Sequence, residues 1–432
     1  MINIDKKLMK FIDETPNAYF CADNLRKKLI ENGFKELYEN EIWNDLKEDG
    51  KYFVVKNDSS LIAFKMSEKK ENIGFNIVST HSDSPSFSIK PNANIYDGNY
   101  MKLNISGYGS MLNYTWLDRP LSIAGRVVTL KDDTYEKQLI NINKDLLTIP
   151  SQALHINISA NEKISFNHQT DMLPIVSLNS DKKLEDIIRE SLLKDVDKIC
   201  DYDLYLYNRD KAKYIGLNDE FILAPRLDDL ASLFPAFNGF IASDNTNTIN
   251  VLCAFNNEEI GNLTLQGADS TFLIDTLTKI ASSANINLFT ALSNSTVISA
   301  DNGHAIHPNA QSKSDPTNKV LLNKGVVIKS HIKYTTDAMM SSLFKGICDK
   351  AQIPYQDFAC RSDMTCGSTL GGVSQRHVSV DSIDIGIAQL AMHSANETIG
   401  SKDIYYMYKA LLEFYNSTII REKNKVIILY KK

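Results

Sequence analysis

The stretch TINVLCAFNNEEIG, residues 248–261, predicts a buried strand that ends in two adjacent carboxylates. Its apolar part reaches Phe255, and Glu258 and Glu259 follow. Neighbouring side chains of an extended backbone point in opposite directions, so one carboxylate can bind a metal while the other faces a water held on it. Two-metal hydrolases need such a ligand beside a general base. Alone the pair is a weak signal, because most Glu-Glu pairs lie on solvated surfaces.

Length and composition limit the classes of protein to consider. The chain has 432 residues, which predicts two domains or one domain with a large insertion. A formal charge of −6 without long charged blocks makes nucleic acid an unlikely main partner. The first 20 residues do not read as a secretory signal, and we see no membrane-spanning run. The six cysteines are scattered, which is typical of reduced thiols in a cytoplasmic protein.

The two ends of the chain predict one α/β domain. In the first part we predict a helix at 21–32, a hairpin at 51–64 and a strand at 74–80. After Pro225, helical and strand-like patterns alternate, with strands at 249–255, 296–300 and 380–387 and a helix at 230–242. Such alternation is typical of a layered α/β sandwich around a mixed sheet. We therefore assign residues 1–91 and 224–432 to a discontinuous α/β domain, a mixed-sheet three-layer sandwich.

The middle of the chain, residues 92–223, has a different pattern. Short alternating segments such as 121–130 and 154–158 predict strands, and two stretches of acidic and basic residues near 184–196 predict helices. This segment is expected to form an inserted β-rich domain.

Metal-binding side chains cluster where the predicted strands of the α/β domain end. They are His81, Asp83, Asp228, Glu258, Glu259, Asp301, His304, His307 and His393. Ligands of open α/β sheets bind outside the carboxyl ends of the strands, so these side chains should meet.

Each residue also has a plain structural explanation. His81 could be a hydrogen-bonded turn histidine, Asp83 a turn cap, Asp228 a helix N-cap and His393 a core histidine. All four explanations would have to hold together to account for the pattern. Two histidines, two aspartates and one glutamate instead suit a pair of zinc ions bridged by Asp228. Asp83 would then orient the ring of His81.

Five motifs in order resemble the aspartyl aminopeptidase family of di-zinc metallo-aminopeptidases. They are THSDSP (80–85), RLDDL (226–230), NEEIG (257–261), SADNGHAIHPN (299–309) and MHS (392–394). The resemblance extends to the N-terminal helix region and to DMTCGST (363–369), so it covers nearly the whole chain.

The resemblance implies a ligand set and a general base. It implies one zinc on His81, Asp228 and Asp301, a second on Asp228, Glu259 and His393, and Glu258 as the base. Cobalt or manganese could replace zinc. It also implies a cis peptide bond between Asp228 and Asp229.

The resemblance further implies substrate contacts and an assembly. Lys329 and Tyr334 correspond to substrate-contacting residues, and His304 and His307 are further candidates. The insertion would mediate a homo-oligomer, a tetrahedral dodecamer, in which His155 reaches the active site of a neighbouring subunit. Peptides beginning with Asp or Glu are the expected substrates.

Two departures from the family pattern bear on these expectations. Relatives carry an arginine-glutamate pair after the last histidine, where this chain has Asn396-Glu397. The segment 328–334 is also two residues shorter than its usual counterpart, which affects the region that selects substrates.

Two other functions are compatible with the scaffold. One is an aminopeptidase of neutral or broad specificity, and the other is a non-catalytic assembly protein. A non-catalytic protein would be free to lose ligands, whereas this chain has them all. No G-x-S-x-G motif or local cysteine motif supports a serine or cysteine hydrolase.

Overall fold

The computed structural model describes residues 3–44, 46–68, 73–162, 165–179, 181–244, 247–367, 369–423 and 425–430. Ser368, within the predicted 363–369 motif, lies outside these ranges. The α-helices are Ile4–Glu14 (α1), Ala18–Glu31 (α2), Leu184–Ser191 (α3), Leu227–Ala242 (α4), Phe272–Ser283 (α5), Leu288–Ser293 (α6), Ala338–Ala351 (α7), Leu370–Ser374 (α8) and Asp403–Asn416 (α9).

The β-strands belong to four sheets. They are Lys35–Leu37 (β1), Lys51–Lys56 (β2), Ser60–Lys65 (β3), Phe75–His81 (β4), Ser86–Asp97 (β5), Tyr100–Tyr108 (β6), Leu121–Lys131 (β7), Thr134–Asn141 (β8), Ile175–Leu178 (β9), Lys198–Asn208 (β10), Lys213–Ile215 (β11), Phe221–Ala224 (β12), Ile249–Phe255 (β13), Thr296–Ala300 (β14), Gly303–His304 (β15), Val326–Ser330 (β16), Tyr355–Ala359 (β17), Asp381–Gly386 (β18), Ala388–Leu390 (β19), Glu397–Gly400 (β20), Thr418–Glu422 (β21) and Lys425–Leu429 (β22).

A nine-stranded mixed sheet forms the centre of the molecule, in the order β1-β2-β3-β13-β4-β14-β18-β16-β17. Its middle strands β13, β4, β14 and β18 run parallel. Every residue of β13, β4 and β14 is buried, as expected for apolar strands covered on both faces. One core packs α1, α2, α4, α7 and α9 on one face, and a second core packs α5 and α6 on the other. The mixed-sheet three-layer prediction is confirmed.

A second sheet, in the order β8-β7-β10-β5-β6-β9, is antiparallel and has a separate hydrophobic core. Its strands span Ser86 to Asn208. The strand that follows, β12, pairs instead with β20 from the C-terminal part of the chain. The division of the chain at residues 92 and 223 stays a prediction.

Most predicted elements occur, and two in the middle segment were wrong. Residues 154–158 form turns rather than a strand, and Leu154, Ile156 and Ile158 are at least half exposed. The alternation there therefore does not mark a buried sheet face. Of the two helical stretches predicted near 184–196, only one forms: α3 ends at Ser191, and the backbone of Leu192 is extended. Among the described residues, no helix is long and apolar enough to cross a membrane.

Candidate metal centre and active site

The carboxyl ends of adjacent parallel strands bring the predicted ligands together. His81 ends β4, the two glutamates follow β13, and Asp301 follows β14. In the β13–β4 register Phe255 pairs with His81, so Glu258 lies just beyond His81 at the same edge of the sheet. This is the crevice where open α/β sheets bind ligands.

The first group of candidate ligands surrounds His81. Its Nε2 lies 3.5 Å from Asp228 Oδ1 and 3.8 Å from Asp301 Oδ1. Asp229, whose carboxylate accepts a hydrogen bond from the main-chain amide of His81, completes this buried group.

The second group shares Asp228 with the first. His393 Nε2 lies 3.5 Å from Asp228 Oδ2 and 3.4 Å from Glu259 Oε2. Asp228 therefore presents one carboxylate oxygen to each histidine. The peptide bond between Asp228 and Asp229 is cis, as predicted.

The residues of both groups fit zinc. Histidine nitrogens and carboxylate oxygens are its usual ligands in proteins. Asp228 Oδ1 and Glu259 Oε1 are buried and have no hydrogen-bond partner among the described residues. Burial and the charge of Asp228 raise the pKa of Glu259 well above its ordinary value. Cations bound between these carboxylates would offset that repulsion.

Asp228 itself stays ionised. Burial acts to raise its pKa, but the nearby imidazole rings of His393 and His81 hold the pKa of this carboxyl below its ordinary value. An ionised carboxylate between two histidines is the state that metal binding requires.

Glu258 is partly buried and borders the same open cavity as His81, Asp228 and Asp301. Burial raises its pKa to about 7; the charge of His81 opposes this shift, and that of Asp301 adds to it.

Asp83 holds both glutamates through their main chain. Its Oδ1 accepts a hydrogen bond from the amide of Glu258 at 3.2 Å, and its Oδ2 accepts one from the amide of Glu259 at 3.1 Å. The main-chain carbonyl of Asp83 lies 3.1 Å from His81 Nδ1, closer than the carboxylate at 3.5 Å. Asp83 thus contacts His81 as expected, mainly through its backbone.

Tyr108, which the sequence did not single out as functional, completes this arrangement. Its hydroxyl donates to Asp83 Oδ2 at 2.7 Å and accepts from Asn257 Nδ2 at 2.8 Å. Tyr108 ends β6 of the second sheet, so its place beside Asp83 depends on contacts between sheets that no local motif encodes. Gly109 follows with φ +73°, and an added Cβ there would lie 3.1 Å from Glu259 Cβ.

Glu397 fixes the main chain of the second group. Its carboxylate accepts hydrogen bonds from the amides of Asp228 at 3.0 Å and His393 at 2.6 Å. The preceding residue, Asn396, donates to Asp210 at 2.6 Å, and Arg119 also pairs with Asp210. Arg119 therefore places a cation beside Asn396, although it comes from a distant part of the chain.

Three of the four predicted substrate-binding residues border the cavity that contains Glu258, namely Lys329, Tyr334 and His304. Lys329 is 3% exposed; its Nζ donates to the carbonyl of Asn302 at 2.8 Å and lies 3.6 Å from Asp301 Oδ2. It is therefore not the solvated strand lysine that its residue type would suggest.

His307 and His155 do not border this cavity. His307 is exposed, and its Nδ1 accepts a hydrogen bond from the amide of Asn309. His155 is also exposed, in the turns at 154–156. Within one chain, neither residue is part of the site.

Comparison with known proteins agrees with this geometry. The family model described as "Aminopeptidase I zinc metalloprotease (M18)" matches residues 11–415. A probable M18 family aminopeptidase 2 of Clostridium novyi (strain NT) is 43% identical over 430 residues, which cover 96% of this chain and 99% of that protein. A protein of the same name from Clostridium acetobutylicum is 42% identical, covering 95% of this chain and 98% of that one.

Solved structures give the same result. A chain in the cryo-EM structure of the Ape4 and Nbr1 complex matches with a TM-score of 0.91 at 33% identity, covering 96% of this chain and 86% of that one. The mApe1 dodecamer of S. cerevisiae matches with a TM-score of 0.84 at 26% identity, covering 95% of this chain and 96% of that one. The predicted family is confirmed: this chain belongs to the M18 family of zinc metalloproteases and is an aminopeptidase.

Proposed function

We propose that this aminopeptidase works with two zinc ions that share Asp228. The observation that carries the proposal is the position of the Asp228 carboxylate, with one oxygen 3.5 Å from His81 and the other 3.5 Å from His393. His81, Asp228 and Asp301 would hold one ion, and Asp228, Glu259 and His393 the other. When bound, the ions would supply a Lewis acid for the scissile carbonyl and lower the pKa of a water.

Glu258 is the proposed general base. Its carboxylate accepts the proton of the attacking water and returns it to the amine that leaves. Asp83 supports this role because it holds the amides of Glu258 and Glu259 and so fixes the turn from which both side chains project. The surrounding carboxylates also favour a free α-amino group, which directs cleavage to the first peptide bond.

Asp or Glu is the proposed N-terminal residue of the substrate, with Lys329 as its partner. A buried ammonium beside the reacting centre supports this choice. The competing proposal is a preference for neutral N-terminal residues. It is supported by the pairing of Lys329 with Asp301, because Asp301 already offsets part of the positive charge of Lys329. Phe358 and Met392 also line this cavity and make part of its wall apolar, which suits a neutral side chain.

The proposed assembly is a cytoplasmic homo-oligomer, by similarity to the mApe1 dodecamer. The exposure of His155 and its position outside the site of its own chain leave this histidine free to reach a neighbouring subunit. The β-rich segment 92–223 would form the contacts between subunits.

The roles of the two adjacent glutamates can be separated by substitution. Glu258→Gln should lower kcat by about 10²–10⁴-fold and keep both zinc ions, because it removes only the base. Glu259→Ala should lose zinc from one site. Zinc analysis and kcat measured on both variants decide the assignment, and equal zinc loss in the two would refute it.

Lys329→Met tests the acidic preference. A specificity lysine should, when lost, reduce kcat/KM for Asp- and Glu-initiated peptides by about 2–5 kcal/mol and spare neutral ones, since it leaves the substrate carboxylate unpaired. Lys324→Met, an exposed lysine just before the same strand, is the control. If kcat/KM instead falls equally for acidic and neutral peptides and zinc is lost, Lys329 positions Asp301 and does not select the substrate.

Tyr108→Phe tests whether the second sheet positions the base. Losing the hydrogen bond to the Asp83 carboxylate, about 1.5–3 kcal/mol, should lower kcat by about 10–100-fold with KM and zinc content nearly unchanged. Tyr135→Phe, an exposed tyrosine of the same sheet, should have no effect. Unchanged kcat in Tyr108→Phe would show that Asp83 needs no support from the hydroxyl.

A further inference from the structure

Two of the six free cysteines border the cavity of the proposed active site. Cys360 and Cys366 line it together with Glu258 and Lys329. Cys360 directly follows β17, the strand that pairs with β16, on which Lys329 lies. The other four cysteines, Cys21, Cys200, Cys253 and Cys348, are not among the residues that line this cavity.

The two thiols are neighbours beside Tyr334. Cys366 Sγ lies 3.0 Å from the hydroxyl of Tyr334, and Cys360 interacts electrostatically with both Cys366 and Tyr334. Cys366 is 7% exposed, whereas Cys360 is more accessible. A reagent that enters the cavity would therefore meet Cys360 first and find Cys366 beside it.

We propose that Cys360 and Cys366 form a modification site, at which a small disulfide oxidises the two thiols to a disulfide bond between them. The Cys360 thiolate attacks one sulfur of the small disulfide and releases one thiol. Cys366, having lost its proton to solvent, then attacks the Cys360 sulfur of the mixed disulfide and releases the second thiol. The protein loses two hydrogens, and the small disulfide is reduced to two thiols.

The chemistry of Cys360 sets the rate of this reaction. Burial and the neighbouring Cys366 thiol raise the pKa of the Cys360 thiol to about 11. Only the thiolate attacks, so the reaction should be slow at neutral pH and faster as the pH rises.

The bond should hinder peptide cleavage, a consequence that rests on the proposed function. It draws the 360–366 segment together and ends the contact of the Cys366 thiol with the Tyr334 hydroxyl, and all three residues border the peptide cavity. Neither cysteine belongs to the two groups of candidate zinc ligands, so the zinc content should stay the same.

The test treats the zinc-loaded protein with oxidised glutathione at several pH values and maps its disulfides by mass spectrometry. Trypsin cuts after Arg361, so a bond between the two cysteines joins two separate peptides. We expect this linked pair of peptides in the unsubstituted protein and in Cys200→Ser. It should be absent from Cys360→Ser and from Cys366→Ser. Aminopeptidase activity should fall about tenfold or more, because small displacements beside a reacting centre lower the rate. Treatment with a phosphine reductant should restore it.

Glutathione attached to Cys360 without the linked pair of peptides would overturn the modification site. A linked pair with unchanged kcat/KM would overturn the predicted effect of the bond on peptide cleavage. The peptide map decides the thiol chemistry whatever the activity. A linked pair in a protein that was inactive before oxidation would refute the proposed function and leave the modification site in place.

Discussion

The carboxylate of Asp228 is the element on which the arrangement of the site depends. It lies between two histidines that come from different parts of the chain, and it offers one oxygen to each. Glu397 holds the main-chain amides of both Asp228 and His393, so the distance between the two groups is set by one buried side chain. A second carboxylate, Asp83, does the same for the main chain of Glu258 and Glu259.

The central sheet and most of the candidate ligands could be predicted because their signals are local. Strands such as β13 are apolar throughout, and each ends beside a metal-competent side chain. Parallel pairing then brings those ends together without further information from the sequence. The mixed sheet and its layers follow from the same alternation of helix and strand.

Tyr108, Arg119 and the supporting role of Glu397 could not be predicted because they depend on contacts between distant segments. Tyr108 reaches Asp83 from another sheet, and Arg119 pairs with Asp210 beside Asn396. The error at 154–158 has a different cause, since alternation of apolar residues predicts a strand only where one face is buried.

The most direct test of the shared Asp228 is anomalous diffraction at the zinc absorption edge from crystals of the zinc-loaded, active enzyme. We expect two zinc peaks per subunit, about 3.5–4 Å apart, with one oxygen of Asp228 on each ion. A single peak in the active enzyme, or two peaks of which one does not contact Asp228, would contradict this arrangement.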